Sequence, residues 1–112
     1  MSTSEHPISG LDDTVHQRAR LGILSLLSTG VAMEFPAVRA TLGLTDGNLN
    51  RHLAVLERAG LGSSSRQTGR GRPKTWLEIT RAGQAALDAE LDALRKLIAA
   101  TEQGRGGGPG SR

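Results

Sequence analysis

The 112 residues carry 14 Lys and Arg against 11 Asp and Glu, a net charge of +3, with no Cys and one Trp and one Phe as the only aromatics. A chain of this length builds one domain around a modest core, and without Cys it has no disulfide, thiolate metal site or Cys nucleophile. No window approaches the roughly 20 apolar residues of a membrane span, and the polar start lacks the charged and apolar regions of a secretory signal, so a cytoplasmic protein is expected.

Residues 1–10 are polar, lack periodicity and read as a flexible arm. A long helix is predicted from Leu11 to Ser28: Asp12 and Asp13 suit its first turn, and Val15, Ala19, Ile23, Leu26 and Leu27 keep helical spacing. Leu21 and Leu24 add a second apolar stripe, which makes a partner subunit a candidate for covering it. Gly30 ends the segment. A short helix follows over Phe35–Leu42, with Pro36 in its first turn. Gly43 and Leu44 then break the chain, and Thr45 can cap a third helix that runs to Ala59 and stops at Gly60. Two short helices so joined, the second amphipathic, make a helix-turn-helix pattern.

After Gly60 the period changes. Leu61–Thr68 and Lys74–Thr80 read as strands, joined by the turn Gly69–Pro73. Alternation sets Trp76 on the face away from Leu77 and Ile79, where protein is expected to cover it. Thr80 can cap a final helix to Thr101, in which Leu87, Leu91, Leu94 and Ile98 form a seam suited to another helix. Residues 11–103 are therefore the folded domain. Gly104–Arg112, with five glycines and a proline, reads as a disordered tail. The fold class is mainly α with a small β-hairpin, in the order of three helices, two strands and one helix.

Charge is concentrated where this pattern lies. Between Pro36 and Arg81 there are eight cations (Arg39, Arg51, Arg58, Arg66, Arg70, Arg72, Lys74, Arg81) against three anions (Asp46, Glu57, Glu78), a local field that suits a polyanion. At 100° per residue Leu49, Leu53 and Leu56 form the buried stripe of the third helix. Arg51 lies opposite, flanked by Gly47, Asn48 and Arg58, with Asn50 and His52 on the shoulders. Asn48 and Asn50 suit adenine, Arg51 suits guanine, and Gly47 permits close approach. Asp46 would repel phosphate, and serves either the helix N-terminus or a cytosine amino group. The turn Gly69–Lys74 contains Arg-Gly-Arg-Pro, which resembles the core of the AT-hook, so Arg70 and Arg72 are minor-groove candidates. Arg66 and Lys74, on the strands, are expected to meet phosphates.

Taken in order, Leu11–Leu27, Phe35–Leu61, Gly69–Lys74 and Ile79–Leu87 resemble the winged helix-turn-helix transcriptional regulators, near the small MarR- and ArsR-like repressors. The resemblance implies a homodimer built from the first and last helices. It also implies two recognition helices in successive major grooves of double-stranded DNA, with wings beside them. Leu21, Leu24, Leu87, Leu91, Leu94 and Ile98 are then the dimer candidates. ArsR-like metal sensors use Cys, His and carboxylates; here only His6, His16 and His52 are available, so no metal or cofactor is called for. The chain is shorter than MarR-like proteins, which leaves room for a small-molecule effector only between subunits.

The leading reading is a sequence-specific DNA-binding regulator acting as a repressor. A winged helix that pairs with another protein is a second reading, against which the basic wing argues. RNA binding is a third, short of stacking aromatics. Enzymatic activity is not expected: Ser63–Ser65 has no His in a nucleophile's setting, and Gly69 and Gly71 do not form a nucleotide loop.

Overall fold

The computed structural model describes residues 6–106. Residues 1–5 of the expected arm and residues 107–112 of the expected tail lie outside them. Pro7–Gly10, also assigned to the arm, form a 3-10 turn packed on the last helix.

The helix expected over Leu11–Ser28 is two helices, α1 (Asp13–His16) and α2 (Arg18–Leu27). At Gln17 the backbone turns to φ −56° and ψ 131°, and its Oε1 accepts from the amides of Ala19 and Arg20 at 2.9 and 3.3 Å. A glutamine thus acts as the N-cap of α2. Hydrophobic spacing could not show the break, because Val15 before it and Ile23 after it are both fully buried in one core.

The strand β1 (Met33–Glu34) leads into α3 (Phe35–Leu42), and α4 (Asp46–Arg58) follows. Between α3 and α4, Gly43 adopts φ +66°. A left-handed residue is needed there to turn the chain within three residues, and glycine takes it without a Cβ penalty. Thr45 Oγ1 accepts from the Asn48 amide at 3.1 Å and caps α4.

Strands β2 (Gly62–Gln67) and β3 (Lys74–Ile79) form the expected hairpin. A third strand joins the hairpin: β1 pairs antiparallel with β3 through Met33 opposite Leu77 and Glu34 opposite Trp76, giving the order β1-β3-β2. Two residues carry no period for a sequence to display. Trp76 is half-buried, and its indole Nε1 is shut off from solvent with no hydrogen-bond partner among the described residues.

The last helix, α5 (Arg81–Gly106), is longer than expected and takes in the first residues assigned to the tail. Thr80 Oγ1 caps it by accepting from the Gly83 amide at 2.9 Å, and donates to the Gly60 carbonyl at 2.7 Å. The core gathers Ile23 and Leu24 of α2, Val38 of α3, Leu49 of α4, Leu77 of β3 and Leu87 of α5. Truncating any of these buried side chains to Ala costs about 2–5 kcal/mol for a Leu or Ile.

Candidate nucleic-acid interface

The helix α4 is amphipathic, with Leu49, His52, Leu53 and Leu56 buried. Leu49, Leu53 and Leu56 are 0%, 9% and 1% exposed, which turns Gly47, Asn50, Arg51 and Arg58 to solvent. Among the described residues nothing beyond the local backbone of α4 comes within 4 Å of a Cβ built at Gly47, so the start of the helix is open to a close-approaching surface. Asn48 is half-buried, and its Oδ1 accepts from Arg51 Nη2 at 3.2 Å. Two of the three candidate base readers are therefore linked before any partner arrives, and Asn50 stands apart.

Thr45 is occupied as the cap. Asp46 is in the first turn of α4, and its Oδ1 accepts from Arg39 Nη1 of α3 at 2.6 Å. The pair is exposed and contributes at most about 1 kcal/mol, but it holds Arg39 beside the start of α4. Arg39 figures in the sequence only as one more charge.

His52, placed on the shoulder of the helix by angular layout, is 8% exposed. Its Nδ1 lies 3.3 Å from Arg20 Nη1 of α2. Burial first, then the positive charges of Arg20 and Arg51, hold the imidazole below its ordinary value of 6.5. With Gln17, Arg18, Asn48 and Arg51 it borders a groove of about 350 Å³ between the start of α2 and α4.

The hairpin leaves the body beside α4, where Ser64 Oγ of β2 donates to Glu57 Oε2 at 2.7 Å. In the β2–β3 register, Ser64 is opposite Leu77 and Arg66 opposite Thr75, while Gln67 is opposite Lys74. Arg66 thus shares the face of Ser64 and Leu77, toward α4. Lys74 shares the other face with Trp76. The sequence treats the two cations alike; the pleat separates them. Arg66, Arg70, Arg72 and Lys74 are all exposed, and Gly71 at the tip has φ +78°.

The proposed subunit seam divides in two. Leu24 (0% exposed) and Leu87 (3%) are consumed by the chain's own core, which corrects their place among dimer contacts. Hydrophobic spacing marks a buried residue without saying which chain buries it. Leu21, Leu91 and Leu94 are half-buried, and Ile98 is 55% exposed. Among the described residues no group of three or more His, Asp or Glu is placed to hold a metal ion, and no helix is long and apolar enough to cross a membrane.

Comparison with known proteins agrees with this geometry. The family model of the winged helix DNA-binding domain matches residues 19–98, from α2 well into α5. A protein of Methanocaldococcus jannaschii is 40% identical over 67 residues, which are 60% of this chain and 73% of that one. The structure of a transcriptional regulator homologue from Pyrococcus horikoshii OT3 has a TM-score of 0.77 at 32% identity, covering 81% of this chain and 90% of that chain. The repressor CouR, bound to a 23-mer DNA duplex, has a TM-score of 0.68 at 22% identity over 88% of this chain and 75% of its own; at that identity the likeness is one of fold. With its tandem helices, its exposed α4 face and its basic hairpin, the chain belongs to the winged helix DNA-binding domain family.

Proposed function

We propose that this chain is a homodimeric, sequence-specific regulator that represses transcription by occupying double-stranded DNA. Asn48, Asn50 and Arg51 read base edges in the major groove, and Gly47 lets the helix start come close to the bases. Arg66 and the wing engage the backbone, with Arg70 and Arg72 in the flanking minor groove. The observation that carries this reading is the two-sidedness of α4: its leucines are spent in the core while Asn50 and Arg51 are turned to solvent. An amphipathic helix at the surface beside a cationic ribbon fits the dimensions of a major groove.

The dimer reading is supported by α5. At about 1.5 Å per residue its 26 residues run for about 39 Å along a molecule that measures 64 × 33 × 23 Å. Ile98 lies exposed on this helix, in line with the half-buried Leu91 and Leu94. A second copy of α5 would cover them. Selecting duplexes from a random-sequence pool with the full chain, then footprinting the winners, tests the proposal. Two related half-sites about one helical turn apart are expected. Winners with no shared sequence would overturn base reading, and a single half-site would overturn the dimer.

A further inference from the structure

The break at Gln17 leaves a polar network between α1, α2 and α4. A continuous helix would aim the Arg18 amide at the Thr14 carbonyl. That carbonyl accepts instead from Arg20 Nε at 2.6 Å, and Asp13 O lies 3.4 Å from Nη2 of the same guanidinium. Nη1, the third nitrogen, meets His52 Nδ1 at 3.3 Å. Arginine donates and cannot accept, so Nδ1 carries the lone pair and Nε2 the proton.

On its other flank α1 is held by Glu90 of α5, which is 1% exposed. Glu90 Oε1 accepts from the Asp12 amide at 3.1 Å, and Oε2 lies 2.6 Å from His16 Nδ1. The four residues of α1 are gripped by a carboxylate from α5 and by a guanidinium from α2. The guanidinium ends on the buried histidine of α4, next in sequence to Arg51.

Attaching α5 to the body does not require this arrangement, since a buried carboxylate costs more than an apolar contact of the same size unless its partners are well placed. What directional bonds add is one preferred geometry. The direction of α4 matters because a rotation by one residue, about 100°, would carry Asn50 and Arg51 off a base edge.

We infer that Glu90, Arg20 and His52 are positioning residues for DNA recognition, a part-buried polar relay running through α1 by which α5 sets the pose of α4. The inference rests on the reading of α4 as the base-reading helix. Because α5 is also the helix proposed to meet a second subunit, the relay makes recognition depend on how that helix is seated.

The test measures binding of the full chain to the duplex it selects from a random pool and to an unselected duplex of equal length, across a salt series, with the melting of each variant followed. Arg20→Gln should lower the preference for the selected duplex about tenfold. Its salt slope should not change, since no phosphate contact is lost. Glu90→Gln should lower the preference in the wild-type background and have no further effect once Arg20 is changed. His52→Asn keeps an acceptor near the Nδ1 position and should retain the preference, whereas His52→Leu should lose it. If Arg20→Gln fails to fold, the same non-additivity is read from His52→Leu with Glu90→Gln. Additive losses, an equal loss on both duplexes, or a shallower salt slope for Arg20→Gln would overturn the relay while leaving the DNA reading standing. A wild-type chain that selects no duplex would overturn both.

Discussion

Arg51 and His52 are neighbours in sequence with opposite fates, and each carries its own prediction. Arg51 is exposed and, among the described residues, its side chain bonds to Asn48 alone, so Arg51→Ala should leave the fold intact. It should reduce discrimination at one base position by about 1–3 kcal/mol, read from competition binding with single-base variants of the selected duplex. A uniform loss on every sequence would make it a phosphate contact instead. His52 is buried, and its folded pKa lies below the 6.5 of the unfolded chain. Between those two values the unfolded state binds the extra proton, so stability is complete above pH 6.5 and falls as the pH drops toward the folded value. Urea melts of wild type and His52→Asn should therefore differ in pH dependence on the acid side of 6.5 and run parallel on the alkaline side.

Among the elements, the start of α5 and the wing respond differently to substitution. A Cβ at Gly83 would stand 2.1 Å from the Leu61 carbonyl oxygen and 2.7 Å from Ile79 Cγ1. The first turn of α5 can sit against Leu61, just before β2, and against the end of β3 only because that position has no side chain. Gly83→Ala should destabilise the chain by about 3 kcal/mol in chemical denaturation, even though alanine is ordinarily the better helix former. In the wing, Arg66 faces the α4 side of the ribbon and Lys74 the other. Arg66→Ala should lower the slope of log affinity against log salt by about 1, and Lys74→Ala should lower it less. Changing Arg70 and Arg72 together should weaken binding chiefly at A·T-flanked sites, where the narrow minor groove concentrates negative potential.

For the molecule as a whole, the test is of assembly. Ile98 contributes little to the intrachain core at 55% exposure, so Ile98→Glu should change the stability of an isolated chain by no more than about 0.5 kcal/mol. In sedimentation equilibrium the same variant should run as a monomer where the wild type runs as a dimer, and its affinity for a two-half-site duplex should fall accordingly. A wild-type chain that sediments as a monomer at every concentration would remove the dimer from the proposal.

Much of the architecture is legible in residue order because its signals are local. The leucine spacing of α4, the caps at Thr45 and Thr80, the glycine after α3 and the polar-to-apolar alternation of β3 each depend on neighbours within a few positions. So does the density of cations from Arg66 to Lys74. The tertiary structure alone decides which chain buries a given apolar residue, as Leu24 and Leu87 show. It alone breaks the first helix at Gln17, pairs a two-residue strand with β3 and sends Arg66 and Lys74 to opposite faces. It also ties Glu90 to His16 of α1 across 74 residues of chain and Arg20 to His52 across 32, with Arg20 held to α1 at the Thr14 carbonyl. Such contacts arise from packing partners far apart in sequence, and a histidine, an arginine or a glutamate has no periodicity by which to announce its partner.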